Sequence, residues 1–360
     1  VNIRDQCSWV HMHEPKAATE KAKDLVRSVV AKAKLLQPLQ KPEIAVTPVG
    51  LIIGGGVSGM TAALELAKQG FEVHLVEREK ELGGHLRSIL YLLEDDEDPR
   101  EKLKSLVQAV LDNDKIHVYF ESEVADISGF VGNFKGKIKG PFGEKQIEHG
   151  IVIVATGATE YKPTEYLYGQ NSRVLTQHEL EEKLANRQFD AKNVVMIQCV
   201  GARNKENPNC ARICCGQAIK NALKIKETSP ETDVYVLFKD MRAYGFKEDH
   251  YREASTKGVL FINYEEGRKP QVANENGKLR LTFWEPIIKR EVQLEPDFVV
   301  LSAATIPNPD NKHIAELLKV PLNKDGFFLE AHMKLRPVDF ATEGVFLCGM
   351  AHSPKYIDEC

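Results

Sequence analysis

The chain of 360 residues contains no apolar run approaching the ~18–20 residues needed to cross a bilayer. Its first residues, Val1-Asn2-Ile3-Arg4-Asp5, lack the apolar core of a secretory signal. They also lack an initiator Met, which reads as a fragment of a longer chain. An excess of one charge is missing too. Lys and Arg number 48 against 52 Asp and Glu, a net charge of −4. That balance gives no electrostatic reason to expect nucleic acid or a membrane as partner. Repeats and low-complexity tracts are absent apart from the acidic run Glu94-Asp95-Asp96-Glu97-Asp98, expected to be a solvated loop. With 42% apolar and 28% charged residues, disorder, collagen and coiled coil are poor readings. The length suits two to three domains.

A disulfide framework is also missing. The cysteines are seven, an odd number: Cys7, Cys199, Cys210, Cys214, Cys215, Cys348 and Cys360. Four of them fall between positions 199 and 215. Such a cluster, in a chain without a secretory signal, points to metal or redox chemistry in a reducing cytoplasm.

Residues 14–36 carry Leu25, Val26, Val29, Val30 and Ala33 at three- and four-residue steps, which predicts an amphipathic helix with Pro15 in its first turn. Pro38, Pro42 and Pro48 then mark a linker. The pattern changes after it. A strand over 49–53, the turn Gly54-Gly55-Gly56-Val57-Ser58-Gly59, a helix over 60–69 and a strand over 71–76 make a βαβ unit. Helices over 100–111 and 216–226 and strands over 116–120, 134–139, 151–154, 193–198, 234–238, 298–301 and 345–347 extend it. The expected fold class is α/β, with Rossmann-type parallel sheets in two lobes and an N-terminal helix.

Gly54, Gly56 and Gly59 form G-x-G-x-x-G between strand and helix, and Glu77 ends the next strand. Gly54 permits the tight turn, Gly56 lets backbone approach a pyrophosphate, and Gly59 lets helix pack on strand. The helix N-terminus then holds phosphate, and Glu77 accepts from a ribose. Three further features favour FAD over NAD. Leu82-Gly83-Gly84-His85 offers a second backbone approach, Ala155-Thr156-Gly157 follows a buried strand, and Thr342 through Gly349 gives a late strand and Gly turn. These segments resemble the FAD lobe of thioredoxin-reductase-like flavoproteins. One departure is that this family usually has Asp after the last Gly, contacting the ribityl chain, where this chain has Met350.

In two-lobe flavoproteins the second lobe repeats the Gly-rich turn for NAD(P)H. Here strand 193–198 runs into Cys199-Val200-Gly201, and Cys210, Cys214 and Cys215 follow, a C-x10-C-x3-C-C spacing. Four thiolates can complete a [4Fe–4S] cluster at a strand end and helix start. Structural zinc remains open, without the usual paired knuckles. So does a redox disulfide, without C-x-x-C, and so do four merely neighbouring buried thiols.

The chain as a whole resembles the A-type subunits of heterodisulfide reductases, flavin iron–sulfur proteins of methanogens and other anaerobes. The carrying motifs are Asn2 through His11, the Gly54 fingerprint, Leu82 through His85, Cys199-Val200-Gly201 with Cys210 through Cys215, and Gly349 through Lys355. The resemblance implies FAD held by Gly54, Gly56, Val57, Ser58, Gly59, Glu77, Gly83, Gly84, His85, Val124, Ala155, Thr156, Gly157 and Gly349. It implies a [4Fe–4S] cluster on Cys199, Cys210, Cys214 and Cys215. The expected division is 1–47 for the N-terminal segment, helix and linker, 48–165 with 306–360 for the FAD lobe, and 166–305 for the lobe carrying the cysteines. Expected partners are the other subunits of such a complex, ferredoxin, and hydrogenase or formate dehydrogenase modules, with a homodimer of the full-length subunit. Family members usually add ferredoxin-like C-x2-C-x2-C domains, absent here, and continue past position 360 into a helix below the flavin, so a truncated or short form is expected.

Lys355, after Pro354, and His85 are the candidates to act on the flavin itself, a surface Lys and a structural His being the alternatives. Cys7 is a candidate ligand for another cluster or a free thiol. His11 and His13 are a weak metal pair, Cys348 reads as a core thiol, and Arg203 and Arg212 as counter-charges to the cluster. The expected function is an oxidoreductase subunit in which flavin and cluster exchange electrons, extending to splitting of an electron pair. An NAD(P)H-dependent disulfide reductase and a non-catalytic flavin- or zinc-binding docking module are the competing readings.

Overall fold

The computed structural model describes residues 1–93 and 98–360, so most of the acidic run, 94–97, lies outside the described residues. The chain divides into two units, Val1–Ala45 and Val46–Cys360. In the first, a short π-helical turn at Arg4–Ser8 precedes helix α1, Pro15–Lys34. Pro15 opens α1, where a missing N–H costs nothing. Its apolar stripe is unburied, with Val26 and Val30 both exposed.

The second unit opens with β1 (Val49–Ile53), α2 (Val57–Lys68) and β2 (Glu72–Val76). Next come α3 (Pro99–Leu111) and β3 (Ile116–Tyr119), then β4 (Glu123–Phe130), β5 (Asn133–Gly140), β6 (Gly143–His149) and β7 (Ile151–Val154). With the late strand β18 (Val345–Leu347), five of these form a parallel sheet in the order β18-β7-β1-β2-β3. Both faces of it are covered, which is why β1 is apolar throughout. Leu51 and Ile53 pack with Phe328 and Phe340 on one side, and Ile52 packs with Met60 and Ala63 of α2 on the other.

The chain leaves this sheet through β8 (Ala158–Glu160) and builds a second one from β9 (Val174–Thr176), β10 (Asn193–Val200), β11 (Asp233–Phe238), β12 (Leu260–Asn263) and β16 (Phe298–Ala303). It too is parallel, in the order β12-β11-β10-β16-β9. Helices α4 (Gln177–Ala185), α5 (Cys214–Thr228) and α6 (Lys247–Thr256) accompany it. The chain returns through β17 (Thr305–Pro307), which pairs with β8, so the outgoing and incoming crossings are stitched together. Helix α7 (Asn311–Leu318) then leads back towards β18.

The α/β class and parallel sheets are as the sequence indicates, and three details differ. Helix α2 starts at Val57, three residues before the expected position, with extended Gly56 (φ −74°, ψ −177°) as its N-cap. Strands β4–β6 make an antiparallel meander, in which Phe134 and Ile138 are buried between exposed lysines. Strands β13 (Gln271–Glu275), β14 (Lys278–Glu285) and β15 (Arg290–Leu294) make another.

Candidate functional site

A cleft of about 1130 Å³ runs along the C-terminal edge of the first sheet. The Gly-rich turn forms its floor. Gly54 has φ +109°, and a Cβ there would overlap the Ala155 carbonyl. A Cβ on Gly59 would overlap the Gly54 carbonyl oxygen, so α2 rests directly on the turn. Gly56 differs: its backbone suits any residue, and a Cβ would find no atom within 4 Å. Gly157 likewise opens on empty space. Among the described residues no side chain caps α2, which leaves its first-turn N–H groups for an anion.

The structure gathers most of the expected residues here. Gly54, Gly56, Val57, Ser58, Glu77, Gly83, Gly84, His85, Val124, Ala155, Thr156 and Gly157 line the cleft, with Met350 and Lys355. Gly59 and Gly349 shape it instead, and a Cβ on Gly349 would overlap the Ser58 hydroxyl. The buried Glu77 carboxylate accepts from the backbone N–H of Gly55 (2.7 Å) and of Glu79 (2.8 Å). It thereby braces the turn, with lone pairs to spare. His85 donates from Nε2 to the Ala158 carbonyl (2.6 Å).

All seven cysteines are free thiols. Cys199, next to last in β10, has φ +63°, Cys210 lies in the following loop, and Cys214 and Cys215 are buried in the first turn of α5. Arg203 and Arg212 in that loop also have positive φ, a strained fold-back. The four sulfurs feel one another. Burial and the charges of Cys215 and Cys210 push Cys199 up. A hydrogen bond with Cys215, burial and the charges of Cys199 and Cys210 push Cys214 up. Cys215, receiving the Cys214 hydrogen bond with Arg242 and Arg203 nearby, falls to about 7. Arg203 also pairs with Asp240 at 2.5 Å. Yet among the described residues no three His, Cys, Asp or Glu side chains close around a single ion. Next to Cys199, the Gln198 side chain is wholly buried, and neither of its amide atoms has a partner among the described residues.

Cleft and thiols meet at Tyr356. This residue lines the cleft, and its hydroxyl donates to the Arg212 carbonyl (3.4 Å). Gly216 leaves it room, since a Cβ there would lie 2.8 Å from the phenol oxygen. Lys247 sits over the ring at 4.3 Å. Arg212 is tied back to the same segment through the Pro354 carbonyl (3.2 Å) and Glu359.

Several cleft residues escape a reading of the sequence. Lys220 of α5 forms a buried ion pair with Glu181 of α4 at 2.9 Å and donates to the Tyr91 carbonyl at 2.8 Å. Glu181 also takes the Leu90 N–H at 2.7 Å. Glu160, pushed up to about 7 by burial and by Glu179, lines the cleft with His178. Nothing in the local pattern flags an acid of one helix and a lysine of another as partners. Cys7 belongs to the first unit, where its buried thiol donates to the Ala18 carbonyl (2.8 Å). Cys348 packs beside the first sheet, with burial raising it to about 11.

A bare-backbone glycine turn, an acid bracing it and parallel sheets stitched at their crossing give the architecture of a two-lobe oxidoreductase. The family model of pyridine nucleotide-disulphide oxidoreductases matches residues 50–201. Thioredoxin reductase of T. acidophilum superposes with a TM-score of 0.57 at 17% identity, covering 87% of this chain and 94% of that one. The chain is 34% identical to the second A-type iron-sulfur subunit of the CoB–CoM heterodisulfide reductase of Methanopyrus kandleri, over 99% of this chain and 69% of that one. It is 32% identical to the A-type subunit of the H(2):CoB-CoM heterodisulfide,ferredoxin reductase of Methanothermobacter thermautotrophicus, over 99% and 68%. It belongs to the family of heterodisulfide reductase A-type subunits. The first of these matches spans 454 aligned residues, more than this chain's length, so that relative carries extra residues inside the matched region.

Proposed function

We propose that the chain is an electron-transfer subunit of a heterodisulfide-reductase-type complex, with FAD in the cleft and a [4Fe–4S] cluster on Cys199, Cys210, Cys214 and Cys215. The observation that carries this is contiguity. The cleft floored by Gly56 and Gly157 reaches Gly216 and Tyr356, beside the helix start that holds two of the thiols. When bound, FAD takes up electrons in pairs and a cluster passes them singly.

The chain's own residues do the holding. The first-turn N–H groups of α2 and the bare backbone of Gly56 receive the pyrophosphate. Glu77 offers its remaining lone pairs to a ribose, and Gly83, Gly84, Val124, Ala155 and Thr156 wall the cofactor in. With Met350 where Asp is usual, the ribityl chain relies on neighbouring backbone. The thiols of Cys199, Cys210, Cys214 and Cys215 act on one another electrostatically, as ligands of one shared centre would. Arg203 and Arg242 beside Cys215 offset its charge. Tyr356 packs between the two sites. Residues 48–165 with 306–360 act as the FAD lobe and 166–305 as the cluster lobe.

Where a nicotinamide-binding lobe needs its own glycine turn, the end of β10 carries Cys199 instead, so electrons come from protein partners rather than NAD(P)H. The names of the relatives extend the proposal to a heterodisulfide branch and a ferredoxin branch sharing one electron pair. Hydrogenase or formate dehydrogenase modules are the donors this suggests, and the full-length subunit is proposed to form a homodimer.

The test is iron, zinc, acid-labile sulfide and FAD content of anaerobically purified protein, with its absorption spectrum. A brown protein with roughly four iron and four sulfide per chain supports the proposal. Zinc without sulfide, or rapid reduction of the flavin by NADPH alone, overturns it.

A further inference from the structure

We propose that Glu330 and His352 are positioning residues that fix the Lys355 ammonium against the cofactor cleft and so set the reduction potential of the flavin. The inference rests on the proposal that the cleft holds FAD. Lys355 lines the cleft and is half-buried. Its ammonium has three hydrogens, and three acceptors surround it: His352 Nδ1 at 2.9 Å, the Ser353 hydroxyl at 3.2 Å and the Gly349 carbonyl at 3.4 Å. A lysine that used its side chain only for solubility would be free to rotate, and holding it in one place costs that rotamer freedom. The local chain creates the geometry. Gly349 adopts φ +62°, residues Gly349–Ala351 make one tight turn, and Pro354 fixes the step that brings Lys355 back over it.

The second half of the chain of contacts defines the state of His352. Because Nδ1 accepts from an ammonium, it carries no proton, so the ring's proton sits on Nε2. Nε2 lies 2.7 Å from the Glu330 carboxylate, which accepts that proton's hydrogen bond. Glu330 is itself largely buried, its side chain only 11% exposed. A carboxylate thus orients an imidazole and the imidazole orients an ammonium. The negative end lies farther along the chain of contacts, and the positive end faces the cleft. A cation fixed beside a flavin favours its reduced, anionic form and raises its potential.

The experiment is a spectroelectrochemical titration of the FAD-loaded protein and its variants, with FAD content measured on each. Lys355→Met, which deletes the charge, is expected to shift the oxidised-to-reduced equilibrium about tenfold towards oxidised flavin, a drop of ~30 mV for a two-electron couple. His352→Leu leaves the charge but removes its nearest acceptor. It is expected to shift the equilibrium roughly threefold in the same direction, ~15 mV by the same relation. Glu330→Gln keeps the shape, removes a negative charge and weakens the orientation; losing a distant anion alone would raise the potential, so a drop in this variant reads the positioning, and it serves if His352→Leu does not fold. The double variant Lys355→Met/His352→Leu is expected to match Lys355→Met alone, because His352 acts only through the ammonium. A wild-type potential in both His352→Leu and Glu330→Gln, or additive shifts in the double variant, overturns the inference. Unmutated protein that binds no FAD overturns the cofactor proposal instead, so the two failures are distinct.

Discussion

Gly56 and Gly59 lie three residues apart in one motif, and the structure gives them opposite reasons to be glycine. Gly56 has φ −74°, which any L-residue adopts, and a Cβ there touches nothing within 4 Å. Gly56→Ala therefore leaves the fold nearly untouched. A poorer N-cap costs about 0.5–1 kcal/mol, and a stiffer unfolded chain returns roughly 0.4–1 kcal/mol. The melting temperature should move by no more than about 3 °C. The open space is nevertheless where the pyrophosphate must come closest, so the methyl should weaken FAD binding at least 100-fold, about 2.7 kcal/mol. Gly59 reverses both expectations. Its Cβ would overlap the Gly54 carbonyl oxygen, a backbone atom that cannot swing aside. Overpacking of that kind costs about 1–3 kcal/mol, so Gly59→Ala should melt several degrees lower. Thermal melts of both apoproteins, with fluorescence titration of FAD into each, separate the cases. Wild-type FAD affinity in Gly56→Ala, or a melting temperature for Gly56→Ala as low as that of Gly59→Ala, would refute the assignment of this cleft to a dinucleotide.

The cysteines give a second prediction. Cys199→Ser, Cys210→Ser, Cys214→Ser or Cys215→Ser should each strip iron and sulfide, whereas Cys7→Ser and Cys348→Ser should leave both contents intact. Breaking the buried pair with Glu181→Leu should cost about 3–5 kcal/mol by leaving Lys220 uncompensated. Adding Lys220→Met should recover much of that loss in urea melts, and strictly additive losses would count against a coupled pair. His149 is wholly buried, and burial lowers its pKa to about 4. The unfolded histidine titrates near ~6.5, so between these values the unfolded chain binds the extra proton and stability rises with pH. That contribution is complete above ~6.5 and lost as pH falls towards 4, on the order of 3 kcal/mol. His149→Leu should flatten the slope relative to wild type. Glu160, raised to about 7, contributes with the opposite sign in the same window, so the difference between the two proteins is the quantity to read.

What the sequence reveals divides by range. Strands β1, β7, β10 and β16 are buried on both faces, so they show as short apolar runs bounded by turn residues. The glycine fingerprint and the cysteine spacing are contiguous in the chain, and both are readable for that reason. The meander β4–β6 carries the period-2 signature of buried Phe134, Gly136 and Ile138 alternating with Lys135, Lys137 and Lys139, but a single strand with that pattern does not announce its antiparallel neighbours. Helix α2 begins at Val57 because Gly56 caps it in extended conformation, a detail that propensity alone places three residues late. The pairing of Lys220 with Glu181, and of His352 with Glu330, depends on tertiary contact and leaves no local trace.

The segment after β18 shows how the two centres are joined. Residues of one short stretch perform separate tasks: Gly349 packs on Ser58 of α2, Lys355 faces the cleft, and Tyr356 touches Arg212 and Gly216 beside the thiols. Glu359 closes the stretch onto Arg212. A displacement of this stretch would therefore disturb the cofactor wall and the cysteine loop together. Gly216→Ala tests that link without touching a thiol, because its Cβ would lie 2.8 Å from the Tyr356 oxygen and press the ring towards the cleft. The expected outcome is weaker FAD binding with iron and sulfide content retained. Unchanged FAD affinity would mean that Tyr356 yields freely and that the two sites are neighbours without being mechanically joined.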